Sequence, residues 1–131
     1  WLAASDAHGL DRIFLVAPSS SDERIVTTTA ACRGWVYATS VMGVTGTRTS
    51  APSAAPALVE RLRRLAPGLP VGVGLGVSNG EQAAAVAGYA DGVIVGSALL
   101  KTLLAADDAG RPDDLSGLRS VVADLAAGVR A

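Results

Sequence analysis

The sequence has few of the residues that usually report on a protein's environment. Cys32 is the only cysteine among 131 residues, which excludes an intramolecular disulfide and fits a reducing cytoplasm. Methionine also occurs once, at Met42, and the first residue is Trp1. Because a translated chain normally starts with methionine, we expect residues 1–131 to be a single domain that is a piece of a longer protein.

The sequence also lacks a large excess of charge of either sign, and it lacks long apolar runs. The 11 basic and 12 acidic residues give a net charge of -1, so neither nucleic acid nor an anionic membrane surface is an expected partner. No apolar run approaches the roughly 20 residues of a membrane span, and no signal peptide is visible. Hydrophobic residues still make up 50% of the chain, which excludes a disordered tail and predicts a real core.

Short β-branched apolar runs alternate with longer, alanine-rich amphipathic stretches. The runs lack polar alternation, as strands buried on both faces of a parallel sheet do, and they cover Ile13–Val16, Trp35–Ala38, Val71–Val73 and Gly92–Val95. A predicted helix follows each run, and residues 1–8 resemble the end of a preceding helix. Four βα units predict an α/β fold, either a doubly wound sheet or a (β/α)8 barrel, whose complete form needs about 250 residues.

Several helix boundaries can be predicted. Capping-box spacings at Ser20–Glu23 and Ser78–Glu81 predict two helix starts. A helix over 55–65 has one leucine-rich face, and a short helix runs from Ser97 to about Leu103. The last helix begins at about Asp114, and its expected apolar stripe consists of Leu115, Leu118, Val122, Leu125 and Val129.

Glycine clusters stand directly after three of the predicted strands. They are Gly43–Gly46, Gly72–Gly76 and Gly96–Ser97, the last at a helix start. Loops after parallel strands share one edge of the sheet, where such folds carry their sites. Glycine lets backbone N–H groups approach an anion, and a helix N-terminus adds further donors. These clusters could merely end strands and turn corners, but two after consecutive strands favour a phosphate site.

Four segments resemble consecutive strands of one enzyme family, the tryptophan synthase α chains. The segments similar to its fifth, sixth, seventh and eighth strands are Gly9–Pro18, Tyr37–Gly46, Pro70–Ser78 and Ala90–Ala98. The Gly-Val-Thr-Gly sequence that ends at Gly46 is the most specific of these motifs. The resemblance covers nearly the whole chain and implies the C-terminal half of a TIM barrel, with four consecutive βα units.

The resemblance implies a lyase of tryptophan biosynthesis that cleaves indole-3-glycerol phosphate to indole and glyceraldehyde 3-phosphate. Its partner would be the tryptophan synthase β subunit in an αββα complex, with pyridoxal phosphate in that subunit and no cofactor in this chain. The residues that match the family's phosphate grip are Gly46, Gly76, Gly96 and Ser97. The residues that match its substrate pocket and loop are Tyr37, Thr45 and Leu75, the last where many relatives carry phenylalanine.

No catalytic residue is expected in this chain. The family's acid/base glutamate and its aspartate near the indole nitrogen belong to the preceding half of the barrel. Here Asp11 and Asp91 precede strands, Glu23 and Glu81 have helix-cap spacing, and the other acidic residues are expected to be solvated. His8 is expected to be a structural or a surface residue, and no metal site is predicted. Two alternatives stay open: another phosphate-binding barrel enzyme, and a non-catalytic phosphate-binding remnant.

A half-barrel presents its first and fourth strands as unpaired apolar edges. We therefore expect the 131-residue chain alone to dimerise into a pseudo-barrel or to be poorly soluble. Analytical ultracentrifugation of the isolated chain tests this expectation, and a stable, soluble monomer would contradict it.

Overall fold

The strands form one parallel sheet whose order follows the chain. A computed structural model describes residues 1–39, 54–74 and 76–131. Within these residues the sheet order is β1-β2-β3-β4, with β1 Leu15–Val16, β2 Val36–Thr39, β3 Val71–Gly74 and β4 Gly92–Ile94. The helices are α1 Leu2–Ala7, α2 Asp22–Ala31, α3 Ala55–Leu65, α4 Gly80–Ala87, α5 Ser97–Asp108 and α6 Ser116–Gly128. The predicted βα repeat is confirmed.

The core lies between the sheet and the helices. Alternate residues of β2 and β3 face this layer and are buried, as Val36, Ala38, Val71 and Val73 show. The helices contribute Ile25, Leu58, Val59, Leu62, Ala83 and Val86, all at most 5% exposed. The amphipathic pattern over 55–65 is therefore confirmed, because α3 spans those residues and buries its leucine face.

Two helix starts lie one residue later than predicted. The α2 cap is Ser21, whose side chain accepts a hydrogen bond from the Arg24 amide at 3.2 Å. The α4 cap is Asn79, which accepts from the Gln82 amide at 2.9 Å. Ser20 and Ser78 precede these caps, so the predicted serine–glutamate boxes are wrong although the helices are real. Spacing alone cannot choose between adjacent polar residues that can all cap a helix.

The last two helices also differ from the prediction. Helix α5 continues to Asp108, beyond the predicted end near Leu103. Helix α6 leaves much of its expected stripe exposed: Leu115 is 41%, Val122 46% and Val129 44% exposed. Leu125 of that stripe is buried as predicted, Val121 packs against the core beside it, and Gly128 lies on the same side of the helix. The buried face is rotated because α6 packs on α4 and α5.

Helix α6 touches α4 through two glycines. A Cβ at Gly128 would overlap the carbonyl oxygen of Gly80, and a Cβ at Gly80 would lie 2.5 Å from the carbonyl oxygen of Asp124. Backbones this close leave no room for a side chain. The contact fixes the C-terminal half of α6 against the first turn of α4.

Arg12 ties α1 to the rest of the molecule at the opposite edge of the sheet. Its guanidinium donates to the Ala31 carbonyl at 3.0 Å, to Ser5 Oγ at 2.9 Å and to Asp6 at 2.5 Å. Arg33 pairs with the same aspartate. The Arg12 side chain is only 12% exposed. The Arg12 guanidinium thus joins α1, the segment that precedes β1 and the end of α2.

None of the helices in the described ranges combines the length and the apolar character needed to cross a membrane.

The glycine contact gives a stability prediction with an internal control. Gly128→Ala should lower the free energy of unfolding by about 1–3 kcal/mol, because the added methyl overlaps backbone that cannot yield easily. Gly117→Ala, in the same helix, should be neutral or slightly stabilising, since its Cβ would meet Thr102 Cβ at an ordinary 3.6 Å. Urea unfolding followed by circular dichroism measures both, and equal effects of the two substitutions would contradict the assigned contact.

Candidate functional site

Two of the predicted phosphate-binding glycines lie side by side at the carboxyl edge of the sheet. Gly74 of β3 is in register with Ile94 of β4, so Gly76 and Gly96 each follow a paired residue by two positions. Neighbouring strands are roughly 5 Å apart. Gly76 is exposed and has φ of +66°, a conformation that favours glycine. The turn after β3 therefore runs beside the turn that opens α5.

The N-terminus of α5 is open to solvent. Gly96 occupies the cap position, no side chain caps the helix, and Ser97 is its exposed first residue. The Gly96 carbonyl accepts from the amides of Leu99 at 3.0 Å and Leu100 at 3.2 Å. The amides of Ser97 and Ala98 precede these and have no intrahelical acceptor, as at any helix start. With the Ser97 hydroxyl they form a donor set suited to an anion.

The N-terminus of α4 faces the same edge but is already occupied. The Gly80 amide donates to Asp124 Oδ2 at 2.7 Å, and the Ser78 amide donates to Gln82 Oε1 at 2.8 Å. Asp124 is exposed, as expected, and its carboxylate in addition accepts the Gly80 amide. Its role depends on a contact between α4 and α6, residues 44 apart in the sequence, which no local pattern reveals.

Tyr37 lies on the inner face of the sheet, opposite the helices. Its ring occupies the space that a side chain at Gly74 would need. Trp35 similarly covers Gly72, with ring atoms 2.6 Å and 2.9 Å from where a Cβ would stand. The two aromatic rings stack with centroids 6.3 Å apart. Trp35 is not among the predicted site residues. The alternation of aromatic residues on β2 beside alternating glycines on β3 could have indicated its position.

The loop after β1 lies on the same edge and is held by Arg61 of α3. The Arg61 guanidinium donates to the carbonyls of Pro18 at 3.2 Å and Ser20 at 2.8 Å, and to Asp22 at 2.6 Å. Three groups of one turn thus share a single planar partner, which fixes the turn against α3. The remaining predicted site residues, Thr45, Gly46 and Leu75, lie outside the described residues.

Two acidic side chains of the described ranges, Asp91 and Asp114, have structural partners. Asp91 accepts the Val71 amide at 2.8 Å and pairs with Arg63 at 3.4 Å. The hydrogen bond from Val71 and the nearby guanidinium hold the pKa of Asp91 below its usual value. Hydrogen bonds from the Ser116 hydroxyl and amide likewise lower the pKa of Asp114, which pairs with Arg111 as well. Among the described residues no cluster of three potential ligands could hold a metal ion.

Parallel βα units with glycines at the carboxyl edge define a protein of the (β/α)-barrel class. Comparison with protein families is more specific: the model for the tryptophan synthase alpha chain matches residues 2–127. The chain therefore belongs to the tryptophan synthase alpha chain family. Its four βα units are those of the C-terminal half of the family's barrel, as the resemblance implied.

Relatives and solved structures agree on this assignment. The chain is 65% identical to the tryptophan synthase alpha chain of Acidothermus cellulolyticus and 63% identical to that of Salinispora arenicola, over 99% of its length. These matches cover 47% and 48% of the relatives, so the chain spans about half of their length. Tryptophan synthase from Mycobacterium tuberculosis superimposes with a TM-score of 0.83 at 54% identity, covering all of this chain and 46% of that one. A structure of the Pyrococcus furiosus a2b2 complex gives 0.75 at 30% identity, covering 95% and 47%.

The lowered pKa of Asp91 gives a prediction with a defined sign. A carboxylate whose pKa is depressed in the folded state contributes stability above its unfolded pKa of about 3.9 and loses it as the pH falls through the folded pKa. Asp91→Asn should therefore be less stable than the natural chain at neutral pH, by less than about 1 kcal/mol because the side chain is 41% exposed.

The difference should begin to shrink as the pH falls below about 4 and should vanish below the lowered folded pKa of Asp91, where both side chains are neutral. Chemical unfolding at a series of pH values measures it, with Asp108→Asn, an exposed carboxylate at the end of α5, as the control. A difference that stays constant or widens on acidification would contradict the role given to the Asp91 charge.

Proposed function

We propose that this chain supplies the phosphate-binding side of an enzyme that cleaves indole-3-glycerol phosphate to indole and glyceraldehyde 3-phosphate. Family membership supports the reaction, because it is the α-chain step of tryptophan biosynthesis. The observation that carries the proposal is that the Gly76 turn and the open N-terminus of α5 follow two paired residues, Gly74 and Ile94, of adjacent strands. In the proposal both turns present backbone donors to the same phosphate.

In this proposal the phosphate group of the substrate is bound mainly by backbone amides. Gly76, Gly96 and Ser97 contribute from the described residues, and Gly46 contributes from the loop after β2. The positive end of α5 and the Ser97 hydroxyl favour the dianion without placing a full positive charge in the site. Binding the remote phosphate orients the indole end for the reaction, since positioning lowers the entropic part of the barrier.

The indole ring is proposed to lie on the inner face of the sheet. Tyr37 supports this, because its ring lies on that face over Gly74, where any side chain would overlap it. Leu75 lines the same pocket in the proposal, and Thr45 helps to order the loop over the bound substrate. An aromatic and an aliphatic side chain suit a flat apolar ring.

The proton transfers are assigned to groups outside this chain. Cleavage requires an acid that protonates the indole ring carbon and a carboxylate near the ring nitrogen. Asp91 and Asp114 are each committed to a backbone amide and an arginine. We therefore propose that the chain binds phosphate but is inactive until the preceding half of the barrel joins it.

The partner proposed for the complete enzyme is a β subunit that receives the indole. The Pyrococcus furiosus neighbour is described as a tryptophan synthase a2b2 complex, which supports an assembly of this kind. Pyridoxal phosphate is assigned to that partner, with no cofactor in this chain. A cytoplasmic location accompanies the proposal.

An indole-release assay tests the function. The chain should be joined to the preceding half of the barrel from the Acidothermus cellulolyticus relative, and compared with each half alone. The joined protein is expected to release indole from indole-3-glycerol phosphate, and each half alone should not. Joined to the same half, Ser97→Ala should raise KM about 3- to 10-fold, because one donor to the phosphate is lost.

Two outcomes would contradict the proposal. Indole release by the 131-residue chain alone would show that it contains the acid/base groups. A joined protein that folds and binds phosphate but releases no indole would favour the non-catalytic phosphate-binding module.

A further inference from the structure

We propose that Asp124 is a positioning residue for the phosphate site, acting through α4 on the turn that carries Gly76. The inference rests on the proposed function and extends it to the last helix of the chain. Among the described residues, Asp124 makes no hydrogen bond to the predicted phosphate ligands Gly76, Gly96 and Ser97. Its carboxylate accepts the Gly80 amide at 2.7 Å, and Gly80 is the first residue of α4.

The segment between this anchor and the site is short and held at both ends. Val77, Ser78 and Asn79 alone separate Gly76 from Gly80, and Val77 is 4% exposed in the core. The Gly80 backbone is in contact with α6, since a Cβ there would lie 2.5 Å from the Asp124 carbonyl oxygen. Any displacement of Gly80 along the edge must therefore shift the turn that presents the Gly76 amide.

The bond from Asp124 differs from the other bonds at this helix start. Asn79 accepts from Gln82, and Gln82 accepts from the Ser78 amide and hydroxyl, so these bonds stay within one turn. They determine that a helix begins there. Asp124 instead belongs to another helix, α6. The hydrogen bond that its carboxylate accepts from the Gly80 amide therefore determines where α4 begins relative to the sheet.

Asp124 also makes the N-termini of α4 and α5 differ in their ability to bind an anion at the carboxyl edge of the sheet. Both α4 and α5 direct a positive helix end toward it. At α4 a carboxylate already accepts the first amide, and its negative charge disfavours a second anion. At α5 no side chain caps the helix and Gly96 leaves the first amides accessible. The phosphate is thereby directed to α5 beside Gly76 rather than to α4.

The test uses the complete barrel described above and three variants of α5 and α6. Asp124→Ala removes the acceptor, Asp124→Asn keeps an oxygen that can accept the Gly80 amide, and Asp108→Asn is an exposed control on α5. Isothermal titration with inorganic phosphate gives the affinity. Steady-state assays with indole-3-glycerol phosphate give KM and kcat, and thermal unfolding measures stability separately.

Asp124→Ala should weaken phosphate binding about 10-fold and raise KM similarly, while kcat changes less than about twofold. Asp124→Asn should stay within about threefold of the natural residue, and Asp108→Asn should match it. If Asp124→Ala does not fold, Asp124→Ser replaces it, because its shorter side chain cannot hold Gly80 at the same distance. The same weakening is expected.

The outcomes separate this inference from the proposed function. Variants at Asp124 that lose thermal stability but bind phosphate normally would overturn the positioning role and leave the reaction untouched. Phosphate binding that depends on Asp124, in a barrel that releases no indole, would overturn the reaction and support the positioning role. No phosphate binding by the natural sequence would overturn both.

Discussion

Val71 and Val73 direct their side chains toward the helices, while Gly72 and Gly74 leave the other face of β3 bare. This constraint shapes everything on the inner side of the sheet. Trp35 and Tyr37 of the neighbouring strand lie over the bare backbone, and their rings stack because β3 offers nothing between them. A methyl group at either glycine would displace an aromatic ring. The position of both aromatic rings on the inner face thus depends on two missing side chains.

At the carboxyl edge of the sheet, the N-termini of α4 and α5 have different roles. Two helices begin there, α4 after β3 and α5 after β4, and both could attract an anion. In the first turn of α4 the amides of Gly80 and Gln82 donate to Asp124 and Asn79, whereas α5 begins at a glycine with no side-chain cap. The start of α4 is therefore held in place by side chains, whereas the start of α5 is accessible to a ligand. An anion site needs both, because exposed amides bind weakly unless the backbone that carries them is fixed.

The sequence could predict the βα order because buried parallel strands and amphipathic helices have different periods. The leucine face of α3 is one confirmed example. The stripe on α6 was only partly right, because Leu125 is buried but the contact of Gly128 with Gly80 turns most of the other stripe residues outward. The bond between Asp124 and Gly80 could not be predicted, because a lone aspartate in a helix looks the same until its partner, far away in sequence, is known. The position of Gly76, Gly96 and Ser97 at the carboxyl edge was predictable, since they directly follow strands of a parallel sheet.

Arg12 has a consequence for the order in which the molecule assembles. Helix α1 has six residues, too few to persist alone in water. Its side-chain links to the rest of the molecule run to Arg12, which also donates to the carbonyl of Ala31 at the end of α2, and to Arg33, which pairs with Asp6. Both arginines are placed by the end of α2, so we expect helix α1 to dock after α2 has formed. In the folded protein it should be the first helix to exchange its amide protons with solvent, while β3 in the middle of the sheet should be among the last.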